Sequence, residues 1–216
     1  MRRSALDSRD WVFDLDNTLY SAPALYDCIG KRMIAYIASA LGVEPDQALQ
    51  LRERYFHLYG ATIAGLIRHH AIDAHDFLAH VHDVDCSVLA PDPELGALIA
   101  ALPGRKIIFT NGGGGHGQRV LERLGFAAAF EVVFDIEAAG LAGKPQPESY
   151  RRLIAAHRID PARAMLIEDA PRNLAPAHEL GFATALVGAA ALQPRPAYVH
   201  HWAMDVKMLL WDWLAG

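Results

Sequence analysis

Short, almost unbroken apolar runs constrain this chain most. They fall at Trp11–Phe13, Lys106–Phe109, Val132–Phe134 and Ala164–Ile167, each ending in polar or acidic residues, and Phe182–Val187 reads as a fifth. A strand with one wet face alternates apolar and polar residues, whereas a continuous run is buried on both faces, as parallel strands under helices are. Helical stretches at Gln118–Leu124, Pro147–Ala156 and Arg172–Leu180 lie between the later runs. The alternation predicts an α/β fold with a parallel sheet and right-handed crossovers.

The interval between the first two strands is too long for one crossover. From Ala22 to Ala90 it carries helical patterns and no convincing strand: Ile29, Met33, Ile34 and Ile37 share one helical face, and Leu49, Arg52, Phe56 and Tyr59 another. This segment reads as an inserted α-helical domain (residues 21–90) that returns through Pro91-Asp92-Pro93, with residues 1–20 and 91–216 forming the core. At the end, Val206, Leu209, Leu210 and Trp213 predict an amphipathic helix packed on that core.

The 216 residues suit one domain with a sizeable insertion, or two small domains, and 52% apolar with 21% charged residues is ordinary globular composition. A net charge of -5 and a pI near 6.1 provide no overall field for a nucleic acid polymer or an anionic membrane. Cys28 and Cys86 are isolated, which excludes a disulfide scaffold and a thiolate zinc site and suits a reducing compartment. Arg2 and Arg3 have no apolar segment behind them, and no stretch approaches the ~18 apolar residues of a membrane span. The expectation is a cytoplasmic protein with no membrane partner.

Open parallel sheets present ligands at the carboxyl ends of their strands. The first strand runs into Asp14-Leu15-Asp16-Asn17-Thr18. Residues two apart point the same way, and two neighbouring carboxylates are both comfortably ionised only beside a cation. Hard oxygen donors of this kind suit Mg²⁺, while a D-x-D alone is equally an ordinary hydrogen-bonded turn. The second strand ends in Thr110-Asn111 and opens into Gly112–Gly115, a hydroxyl, an amide and unhindered N–H groups fit for an anion. Lys144 stands before a helix, and the fourth strand ends in Glu168-Asp169 with Asn173 a turn further on. Asp169 can complete a metal site with Asp14 or merely cap a helix. Polar clusters at four successive points on one sheet edge are the signal, more than any one of them.

In this order the residues resemble the haloacid dehalogenase superfamily. Phe13-Asp14-Leu15-Asp16-Asn17-Thr18-Leu19 is similar to its first motif, Thr110-Asn111 to the second, Lys144-Pro145 to the third, and Glu168-Asp169 with Asn173 to the fourth. The resemblance implies a Rossmann-like three-layer core with the first strand central, and a C1-type cap at the insertion. It implies Asp14 as the nucleophile that becomes an aspartyl-phosphate and Asp16 as general acid, then base. Mg²⁺ would be held by Asp14, Asp169 and the Asp16 backbone carbonyl. Thr110, Asn111 and Lys144 would bind phosphate, with Thr18, Glu168 and Asn173 in support. Dehalogenases lack an acid two residues after the nucleophile, so Asp16 points to phosphate esters.

A narrower resemblance is to the pyrimidine 5′-nucleotidase branch. It rests on Tyr55, Tyr59-Gly60, Gly65-Leu66, Ile72-Asp73, Val81-His82-Asp83 and Pro91-Asp92-Pro93, with Arg119-Val120-Leu121, Leu124-Gly125 and Asn173-Leu174. It implies hydrolysis of a nucleoside monophosphate, UMP or CMP; phosphoglycolate or a sugar phosphate is the alternative small phosphate ester. Arg54, Tyr55 and His57 are candidates to meet a pyrimidine. Gly112-x-Gly114-x-x-Gly117, followed by Glu131 and Asp135, formally satisfies a dinucleotide fingerprint, but that reading leaves the acids at the other strand ends without a role. The 11 histidines include no zinc pattern, and His82 is a candidate for the cap hinge.

Overall fold

The structure is a computed structural model that describes residues 10–215. Arg2 and Arg3, read above for a targeting signal, lie outside them. Six strands form one parallel sheet in the order β3-β2-β1-β4-β5-β6. They are β1 (Asp10–Phe13), β2 (Arg105–Phe109), β3 (Val132–Phe134), β4 (Ala164–Glu168), β5 (Ala183–Val187) and β6 (His201–Ala203). Between β1 and β2 come α1 (Pro23–Leu41), α2 (Pro45–Tyr59), α3 (Thr62–His70), α4 (Ala74–His82) and α5 (Pro93–Ala101). Then follow α6 (His116–Leu124), α7 (Pro147–His157), α8 (Pro171–Glu179) and α9 (Val206–Ala215). This is the Rossmann-like α/β architecture expected.

β1 lies between β2 and β4, with Phe13 level with Ile108 on one side and Ile167 on the other. All four of its residues are buried, and Trp11, Val12 and Phe13 are fully so. Each such apolar side chain contributes about 1.5–3 kcal/mol relative to exposure. Trp11, Phe13 and Leu15 face a cluster with Val120, Leu121 and α9, where Trp213 tilts against Trp11 at 5.5 Å. Val12 points to the other face, against Tyr150, Leu153 and Leu174 of α7 and α8. Helices on both faces account for the absence of alternation in the strands.

Helices α1 to α4 enclose their own cluster, including Ile37, Ala48, Tyr55, Leu66, Phe77 and Leu78. The expected α1 face is the one turned inward. The α2 face is rotated from its expected position: Ala48 and Tyr55 are buried, and Phe56 is 40% exposed. The guanidinium of Arg172 in α8 covers that ring at 4.4 Å. β6 was not anticipated; three half-exposed edge residues leave no apolar run to read.

The glycine run is where the core loop meets α4. A Cβ on Gly113 would come within 3.0 Å of Leu78 Cδ1, and one on Gly114 within 2.8 Å of the Leu78 carbonyl oxygen. Gly114 also has φ +58, in the left-handed region. The glycines serve close approach to a helix, so the dinucleotide spacing has a packing cause. Gly114→Ala should cost about 1–3 kcal/mol, from strain and displaced backbone together. Chemical denaturation reads this as a lower midpoint; an unchanged midpoint would refute the packing account.

Candidate active site

The sheet ladder runs one residue beyond β1, because the Asp14 N–H donates to the Ile167 carbonyl at 2.9 Å. That bond fixes Asp14 at the strand end, buried. Asn17 then takes φ 61, a conformation asparagine tolerates, and the chain turns tightly enough for the Leu19 N–H to donate to the Leu15 carbonyl at 2.9 Å. The turn returns Thr18, whose hydroxyl donates to Asp14 Oδ2 at 2.9 Å.

Lys144 arrives at the other Asp14 oxygen. Its Nζ donates to Asp14 Oδ1 at 2.6 Å, Glu168 Oε2 at 2.8 Å and the Phe109 carbonyl at 2.7 Å, with the side chain only 1% exposed. All three ammonium protons are thereby used. Asn111 holds the lysine's backbone: its Oδ1 accepts from the Lys144 N–H at 2.7 Å, and its Nδ2 donates to the Lys144 carbonyl at 3.0 Å. The predicted phosphate-binding Asn111 is thus engaged in positioning Lys144. Thr110 is buried, and its hydroxyl oxygen accepts from the Gly112 N–H at 2.9 Å.

Carboxylate oxygens of Asp14, Glu168 and Asp169 lie within 4.8 Å of one another. One ammonium faces these three acids, so the cluster carries excess negative charge. Burial first, and then Glu168, pushes the Asp14 carboxyl up to about 7 against the opposing pull of Lys144. Burial likewise raises Glu168 and Asp169. Burial disfavours the Lys144 ammonium, but Asp14 and Glu168 overcome this and hold it above its ordinary value. Converging hard oxygens short of positive charge fit a small divalent cation. Asn173 adds a buried Oδ1 without a partner among the described residues.

Asp16 looks elsewhere. Its Oδ1 accepts a hydrogen bond from the Tyr20 hydroxyl and lies 3.3 Å from His116 Nε2. Burial raises the Asp16 carboxyl, but His116, the Tyr20 hydroxyl and His82 together outweigh it and leave the group below its ordinary value. The two acids of the first motif, expected on one side, therefore have separate partners. Tyr20 and His116 were not singled out for the site. His116 stands beside the conspicuous glycine run, but a histidine that meets an acid one hundred residues earlier carries no local signature. His82 is buried behind it, ring centroids 5.1 Å apart, with Nδ1 3.1 Å from the Leu78 carbonyl.

Of the candidate base contacts, Tyr55 is buried and bonded to His70 Nε2 at 2.7 Å, and Arg54 is exposed. His57 lines a cavity of about 360 Å³ between the cap helices and Asn111, with Arg52, Phe56, Thr62, Phe77 and His82.

The family model for haloacid dehalogenase-like hydrolases matches residues 12–181. The chain belongs to this family of hydrolases. A phosphoglycolate phosphatase of Rhodospirillum rubrum is 30% identical over 200 residues, 79% of this chain and 75% of the relative. Phosphate metabolism protein 8 of Saccharomyces cerevisiae is 30% identical over 136 residues, 57% of this chain; the match spans 42% of that relative's length. Among solved structures, the putative HAD-hydrolase YfnB of Bacillus subtilis, bound to magnesium, is similar with a TM-score of 0.58 at 15% identity, covering 95% of this chain and 97% of that one. No helix among the described residues is long and apolar enough to cross a membrane.

Burial, followed by the nearby His116, lowers His82 from 6.5 to about 4. The unfolded chain takes up a proton near pH 6.5 that the folded chain refuses until about 4, so stability falls as pH drops through that window. His82→Gln should flatten the acid limb between those values in a pH series of denaturation curves; an unchanged slope would refute this.

Proposed function

We propose that the chain is an Mg²⁺-dependent phosphomonoesterase that hydrolyses pyrimidine nucleoside 5′-monophosphates, UMP or CMP, through an aspartyl-phosphate on Asp14. The observation that carries the reading is the asymmetric treatment of two neighbouring acids. Asp14 is buried with Thr18 on one oxygen and Lys144 on the other, and Asp16 is set apart on Tyr20 and His116. One is oriented as a nucleophile and the other is free to handle a proton.

In this mechanism an Asp14 carboxylate oxygen attacks phosphorus and the ester P–O bond breaks. Asp16, protonated at that moment, gives its proton to the departing alkoxide. Asp16 then removes a proton from water, which attacks the aspartyl-phosphate and regenerates Asp14 with release of inorganic phosphate. Lys144 keeps Asp14 oriented and offsets the local negative charge, and the Thr110 hydroxyl proton is available to a phosphoryl oxygen. Asp14, Asp169 and the Asp16 backbone carbonyl, with Glu168 beside them, would hold Mg²⁺, which when bound neutralises charge on the phosphoryl oxygens.

Residues 21–90 act in this reading as a cap over the core of residues 1–20 and 91–216. The cap cavity of about 360 Å³ has aromatic walls with Arg52, His57 and Thr62 among them, more room and more apolar surface than a two-carbon acid needs. That favours a nucleoside. The phosphoglycolate phosphatase relative makes phosphoglycolate the competing substrate.

Phosphate release should be fastest with UMP or CMP in a panel including AMP, GMP, phosphoglycolate and sugar phosphates, and should require Mg²⁺. Preference for phosphoglycolate or a sugar phosphate would reject the nucleotidase and keep the phosphatase; no release from any ester would reject both. Asp16→Asn should lower turnover by ~10²–10⁴-fold, the usual cost of losing a general acid–base. A near-normal rate would remove Asp16 from that role.

A further inference from the structure

The glycine run ends at His116, a residue to which the steps above assign no part. This histidine is 1% exposed, and its Nδ1 has no hydrogen-bond partner among the described residues. Leaving a buried polar atom unpaired costs stability, so a purely structural role would better suit an apolar side chain. Its other nitrogen, Nε2, lies 3.3 Å from Asp16 Oδ1 and 3.4 Å from the Tyr20 hydroxyl oxygen. Tyr20 donates to the same Asp16 oxygen. A contact with a carboxylate oxygen places the ring proton on Nε2.

We propose that His116 and Tyr20 are positioning residues that together hold Asp16 Oδ1, so that Oδ2, free of hydrogen bonds among the described residues, is the oxygen that exchanges the proton. The inference rests on the phosphatase reading and deepens it. Two donors from different elements fix one oxygen of a carboxylate that is otherwise partly open to solvent. The surroundings hold the histidine in turn. His82 lies behind the ring, and a Cβ on Gly112 would approach His116 Cδ2 and Thr110 Oγ1 to 3.3 Å each. A Cβ on Gly117 would reach Val133 Cγ1 at 2.8 Å. Small residues at these points allow α6 to start close enough to β1 for its first side chain to reach Asp16.

The test separates positioning from general damage by the leaving group. A nucleoside 5′-monophosphate releases an alkoxide that needs a proton; p-nitrophenyl phosphate releases a phenolate that does not. With His116→Leu, nucleotide turnover should fall about 10²-fold, the scale of a misplaced catalytic group. The p-nitrophenolate burst should keep its wild-type rate, followed by slowed steady-state turnover, because water still needs Asp16 as base. Tyr20→Phe, which removes one oxygen, should give the same split. His116→Gln, which restores an N–H at similar reach, should recover most of the nucleotide rate. Unchanged nucleotide turnover in both His116→Leu and Tyr20→Phe would overturn the inference, as would burst and turnover falling together. If the wild-type chain hydrolyses neither ester, the phosphatase reading itself fails; if it hydrolyses them and the variants match it, only this inference fails.

Discussion

A lysine with no access to water organises this site. Lys144 donates to an acid at the end of β1, an acid at the end of β4 and the last carbonyl of β2. Three adjacent strands are tied together at the edge where ligands of open α/β sheets bind. Burying that ammonium is costly, and only the two carboxylates with the carbonyl offset the cost. The same acids cannot tolerate one another without it. The ion cluster therefore depends on the sheet for its geometry, and the carboxyl ends of the strands depend on the cluster to be buried at all.

Much of this was legible in the chain. Unbroken apolar runs identify parallel strands because both faces of a covered sheet exclude water, and β1 is buried at every residue. Acids and a hydroxyl at strand ends stand out against such runs, which makes Asp14, Thr110 and Glu168 legible as candidates, and Lys144 stands in the loop before α7. Partnerships were less legible. Nothing local says that Asn111 would hold the lysine's backbone, or that Glu168 would share the ammonium with Asp14. Tyr20 and His116 illustrate the limit: their significance lies in an oxygen both of them reach, and no periodicity encodes it. β6 was missed for a different reason, since an exposed edge strand lacks the burial that makes strands recognisable.

The cap and the core meet through backbone as well as through side chains. Gly60 sits against the Lys144 carbonyl, where a Cβ would come within 2.7 Å, and the glycine run sits against α4. Arg119 reaches from α6 to the carbonyls of Gly114 and His82 at 2.9 and 2.8 Å. The cap cavity is lined on the core side by Asn111 and Ile136, and by His82, whose ring lies 5.1 Å from that of His116.

The central claim is that Asp14 carries the phosphoryl group during turnover. Quenching the enzyme during turnover of a nucleoside monophosphate and reducing the protein with borohydride converts an acyl phosphate to an alcohol that mass spectrometry locates by peptide. The account requires that mark on Asp14 and on no other acid. Active enzyme that yields no reduced aspartate, or places it at Asp16 or Asp169, would contradict it.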